Sequence, residues 1–109
     1  MAIPMSTMSR LDKLLKILAL EPGDAFTLYG VAQEYAKLGQ ADRAISFYDQ
    51  CLAADPNYCY AYYHKAKVQA DNDDPTSAAA TLRAGIEVAK KAGDGKAQNE
   101  MASLLDSIT

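Results

Sequence analysis

Apolar and polar positions alternate along this chain with the spacing of helices, and the helical pattern itself recurs. Leu11, Leu14, Leu15 and Leu18 fall on one side of a helix that Ser9 can cap, with Asp12 at its third position, and Pro22-Gly23 ends it. Asp24 caps the next segment, where Leu28, Val31, Ala32 and Tyr35 recur at steps of three and four; Gly39 marks a turn, and Ala44 and Tyr48 follow on a second helix that stops before Pro56. Thirty-four residues later the pattern returns: Pro22 recurs as Pro56, Leu28 as Tyr62, Ala32 as Ala66, Ala44 as Ala78 and Tyr48 as Leu82. A period of this size marks stacked supersecondary units, each unable to bury its apolar face alone. The spacing predicts helices over 25–38 and 41–54, then from about Tyr58 to Asp71, and from Pro75 to about Ala92 after an Asn72-Asp73-Asp74 turn. Gly93-Asp94-Gly95 breaks the chain, and Ala97, Met101, Leu104, Leu105 and Ile108 form the apolar side of a last helix whose wet side carries Gln98, Asn99, Ser103 and Asp106.

Within the unit, Leu28-x2-Val31-Ala32-x2-Tyr35, Ala44-x3-Tyr48 and Pro56 stand at the spacings of the tetratricopeptide repeat, and the chain resembles that family. Small residues at Ala32 and Ala44 allow two antiparallel helices to approach, with Tyr35 and Tyr48 filling the space around the contact. The fold expected is all-α, a short right-handed solenoid of about six helices forming a single domain over 9–109. Its parts are a half repeat at 9–22, full repeats at 24–57 and 58–92, and a capping helix at 94–109, with 1–8 a disordered tail. The second copy departs from the family pattern, with Lys65 at a leucine position, Gln69 at an aromatic one and Lys90 in place of the terminal proline. Lys65 must therefore snorkel or its surroundings must differ, and a longer last helix suits the missing proline.

Composition narrows the function classes. Half of the 109 residues are apolar, enough for one core. A net charge of -3 and no basic stripe speak against nucleic acid as partner. Neither a signal peptide nor a membrane-spanning stretch is visible, so a cytoplasmic location is expected. Arg10, Lys13 and Lys16 on the leucine-bearing helix leave a membrane-surface or partner-binding role as a rival reading, although the repeat register accounts for the leucines without lipid. Cys51 and Cys59 are too few for a disulfide framework, and Cys51 falls where the second helix wants a small residue. His64 is the single histidine, no motif places a nucleophile beside it, and Cys51, Cys59 and His64 match no usual zinc spacing. Asp71-Asn72-Asp73-Asp74 lacks the glycine and distal glutamate of a calcium loop. No enzyme activity, cofactor or metal is expected.

The resemblance implies a concave groove lined by the first helix of each pair, which takes extended peptides or helices of other proteins. Helical spacing selects the residues facing it: Phe26, Tyr29, Gly30, Gln33 and Lys37 on one helix and, thirty-four residues on, Tyr60, Tyr63, His64, Lys67 and Asp71 on the next. Gly30 and His64 are read as leaving room or a polar handle in the groove floor. The competing reading packs these aromatics on neighbouring helices. In the family, a carboxylate clamp of lysine, asparagine and arginine grips acidic C-terminal tails of chaperones; Tyr29 and Gln33 replace a lysine and an asparagine here, and His64 replaces a second asparagine, leaving Lys37 and Lys67 to hold a carboxylate. The expected function is protein–protein interaction through the groove. The alternative is homo-oligomerisation through the terminal helices, since a half repeat leaves a face to complete.

Overall fold

A computed structural model describes residues 9–109; the tail expected at 1–8 lies outside the described residues. Six helices follow in order: α1 (Arg10–Leu20), α2 (Ala25–Lys37), α3 (Ala41–Ala54), α4 (Cys59–Asp71), α5 (Pro75–Ala92) and α6 (Gly95–Ile108). Their starts are written locally. Ser9 accepts from the Asp12 backbone amide at 3.0 Å, and Asp24, Asp74 and Asp94 do the same for Thr27, Ser77 and Ala97 at 3.0, 3.1 and 3.1 Å. These bonds hold the Asp24 and Asp74 carboxyls below the usual carboxylate range, chiefly through side-chain contact with Thr27 and Ser77 and then through their amides.

Neighbouring helices pack in sequence, and α4 also touches α2 on one side and α6 on the other, so these three form one layer while α1, α3 and α5 form the other. The result is an all-α right-handed solenoid of antiparallel pairs, about 50 Å long. Its core follows the thirty-four-residue offset. Ala32 and Ala66, Ala44 and Ala78, and Tyr48 and Leu82 are all buried. The turns match as well: Gln40 N donates to Tyr35 O at 3.0 Å as Asp74 N does to Gln69 O at 2.9 Å. Between them, Gly39 and its counterpart Asp73 take left-handed φ values of 73° and 59°, a conformation that aspartate tolerates better than most side chains.

Where the second pair departs from the pattern, the structure supplies a replacement. Lys65, counterpart of the fully buried Val31, keeps most of its side chain out of solvent and pairs with Asp49 of α3 at 2.6 Å. In the first pair Tyr35 stacks on Phe47, with centroids 5.5 Å apart and Arg43 over the Tyr35 ring. Thirty-four residues on, a hydrogen bond replaces the stack, Thr81 Oγ1 donating to Gln69 Oε1 at 2.7 Å. Lys90 lets α5 run to Ala92, where Gly93 closes it at φ 73°. Both cysteines are free and buried; burial raises the Cys51 thiol to about 11 and pushes Cys59 up too, so both serve packing.

Candidate functional site

The caps place α2, α4 and α6 in one register. Counting from Asp24, Tyr58 and Asp94, the fifth residues are Tyr29, Tyr63 and Asn99, the sixth are Gly30, His64 and Glu100, and the ninth are Gln33, Lys67 and Ser103. Residues at one count share one face of the helix layer.

Between α2, the start of α3 and α4 lies a cleft of about 350 Å³. Gln33, Lys37, His64, Lys67 and Asp71, five of the residues expected in the groove, line it together with Tyr48 and Val68. Lys37 is already paired with Glu34 at 3.1 Å, and Glu34 also meets Arg10 at 3.6 Å. Lys67 and Asp71, four apart on α4, are the exposed charged groups of the far wall.

The aromatic residues form a connected cluster beside the cleft. Tyr29 lies 4.9 Å from Tyr58, 5.7 Å from His64 and 6.0 Å from Tyr48 between ring centroids; Tyr63 meets His64 edge-on at 5.0 Å and Tyr60 at 6.4 Å. Tyr29 is half-buried in this cluster. Burial, helped by Tyr58 and opposed by a hydrogen bond with Gln33, raises its hydroxyl to about 12, so it remains a neutral donor. Burial first, and Lys67 second, lower the His64 pKa against an opposing pull from Glu100. The imidazole is therefore neutral at pH 7, and charge in this region comes from lysine and carboxylate side chains.

Two of the expected residues stand elsewhere. A Cβ on Gly30 would sit 3.2 Å from Leu14 Cδ1, so Gly30 is buried beneath α1 and the room it leaves belongs to helix packing, not to the groove floor. Phe26 is 68% exposed at the start of α2, away from the aromatic cluster. Conversely, sequence reading assigns Asn99 and Ser103 to the wet side of a closing helix and does not single out Glu100. With Leu104 and Tyr63 these three line a second recess of about 370 Å³ between α4 and α6. The signal for them is the Asp94 cap, which lies thirty-six residues after Tyr58 and so breaks the simple period.

Comparison with known proteins agrees with this architecture. The family model for the tetratricopeptide repeat matches residues 27–58. A TPR repeat-containing protein of Pseudomonas aeruginosa is 27% identical over 98 residues, covering 90% of this chain and 93% of that one. The solution structure of a tetratricopeptide repeat domain protein from Salinibacter ruber is 34% identical with a TM-score of 0.74, over 80% of this chain and 88% of that chain. The TPR2B domain of yeast Sti1, solved in complex with pHsp70, is 26% identical with a TM-score of 0.85, over 90% of this chain and 78% of that chain.

Proposed function

This chain belongs to the tetratricopeptide repeat family, and from that premise we propose that it is a non-enzymatic, cytoplasmic protein-interaction module that binds a peptide or helix of another protein along α2, α4 and α6. The observation carrying this reading is the cleft: Gln33, Lys67 and Asp71 line it without filling the core or pairing in an ion pair among the described residues. Polar side chains held on adjacent helices, with Lys67 and Asp71 exposed, suit recognition of an external segment. The complex of the Sti1 domain with pHsp70 supports the use of this fold for binding another protein. On the same reading 9–22 is a half repeat, 24–57 and 58–92 are full repeats, and 94–109 closes the stack.

The ligand differs in chemistry from an acidic chaperone tail. Tyr29, Gln33 and His64 supply no fixed positive charge, and Lys37 is engaged by Glu34, which leaves Lys67 as the cleft lysine outside any ion pair among the described residues. Exchanging the two cleft charges, Lys67→Glu with Asp71→Lys, preserves net charge and touches exposed positions only. Affinity capture from native lysate followed by titration of the captured protein should show binding weakened by about tenfold or more in the exchanged variant, with helicity unchanged by circular dichroism. A partner retained at full affinity would move the interface away from the cleft.

A second reading rests on α1. Leu11, Leu14, Leu15 and Leu18 pack on the core, yet Ile17 and Leu20, three apart on the helix, are 48% and 84% exposed. Self-association through this edge predicts a concentration-dependent sedimentation coefficient that Ile17→Glu with Leu20→Lys abolishes while the fold survives. A concentration-independent monomer would remove this reading. Leu15 is unsuitable for the test because it belongs to the core of one molecule.

A further inference from the structure

The recess between α4 and α6 has a charge opposite to that of a clamp for acidic groups. We propose that it is a cation-accepting subsite, and that the segment bound by this protein places an arginine or lysine side chain between the Tyr63 ring and the Glu100 carboxylate. The inference rests on the groove-binding reading above and names the chemistry of the partner.

Three observations point the same way. First, the recess of about 370 Å³ is lined by Tyr63, Asn99, Glu100, Ser103 and Leu104, which offer a carboxylate, an amide, a hydroxyl and an aromatic ring but no basic group. Second, Glu100 forms no ion pair among the described residues. Its carboxylate lies close enough to Tyr60 to push that phenol's pKa up after burial, so an acidic group without a basic partner stands beside the recess. Third, the neighbouring cleft is less suited to a cation, because two lysines, Lys37 and Lys67, line it beside Asp71.

The geometry suits a guanidinium better than an ammonium. A planar, weakly hydrated cation stacks on a tyrosine face while its edge donates to a carboxylate, and Asn99 and Ser103 can accept its remaining N–H groups. The chain's net charge of -3 also draws basic segments toward it. The bound segment would run from the Lys67 cleft on α4 to Glu100 on α6, with its basic side chain at the α6 end.

The test is a selection of displayed random twelve-residue peptides on the immobilised full chain, followed by fluorescence anisotropy of the best peptide. Replacing its basic residue by norleucine should weaken binding to the natural protein by about tenfold and change binding to Glu100→Gln by much less. Selection on Glu100→Lys should enrich acidic residues in place of basic ones. Peptides that bind the cleft, as judged by loss in the Lys67→Glu, Asp71→Lys variant, yet are indifferent to Glu100→Gln would overturn the cation subsite and leave the groove reading standing. If no peptide depends on either variant, both readings fall. Glu100 is only half-buried and glutamine is isosteric, so thermal melting should show the variant folded.

Discussion

Tyr48→Ala should be the most damaging single substitution in the first helix pair. The side chain is 1% exposed and sits between α2 and α3, where it contacts the Tyr29 ring at 6.0 Å and forms one wall of the cleft. Burial drives its hydroxyl pKa well above the ordinary tyrosine range, as expected for a ring enclosed on most sides. Truncating a buried aromatic side chain to alanine costs about 3–5 kcal/mol. A domain of this size has about 5–15 kcal/mol in total, so the variant should melt about 15 °C or more below the natural protein. Tyr48→Leu is the informative companion. Leu82 occupies the equivalent place thirty-four residues on and is fully buried there, so the architecture accepts leucine at this position. The loss should be clearly smaller than for alanine. Equal melting temperatures for Tyr48→Ala and the natural protein would contradict the packing of α2 on α3.

Much of this packing is legible in the sequence because close helix contacts demand small residues at fixed intervals. Ala32 and Ala44, with their counterparts Ala66 and Ala78, therefore announce both the pairs and their core. The exceptions are legible only as exceptions. The sequence shows Lys65 where an apolar residue belongs but not that Asp49 on α3 receives it, since the two lie on different helices whose rotation sets the match. It shows Gln69 in place of an aromatic residue, and Thr81 as its partner emerges only when the Tyr35–Phe47 stack and the Gln69–Thr81 bond are seen at equivalent positions.

The candidate site follows the same division. Residues on α2 and α4 share a face because one offset generates both stripes, and five of them meet in the cleft. The α6 residues are hidden by the two additional positions before Asp94, which shift Asn99, Glu100 and Ser103 out of the thirty-four-residue comparison. Gly30 is ambiguous for a different reason. A missing side chain signals a close approach without saying from which side, and here the approaching group is Leu14 of α1.

Gly85 carries that lesson to its largest consequence. It lies in the middle of α5, where alanine would ordinarily gain about 1 kcal/mol in helix propensity. A Cβ there would instead sit 2.6 Å from both Met101 Sδ and Tyr62 Cβ. Met101 can swing its thioether aside, but Tyr62 Cβ is fixed to the backbone of α4, so the helices themselves must separate. Forcing extra atoms into a packed core costs about 1–3 kcal/mol, and the steric term should outweigh propensity. Gly85→Ala is therefore expected to melt about 5–15 °C lower. Gly95, at the first position of α6, has nothing within 4 Å of a built Cβ and lacks a left-handed φ. There the same chemical change should stabilise by about 0.4–1 kcal/mol by restricting the unfolded chain. Opposite signs for the two alanine variants in urea titrations would show that α4, α5 and α6 meet at Gly85. A Gly85→Ala variant that gains stability would mean a looser approach of α4 to α5.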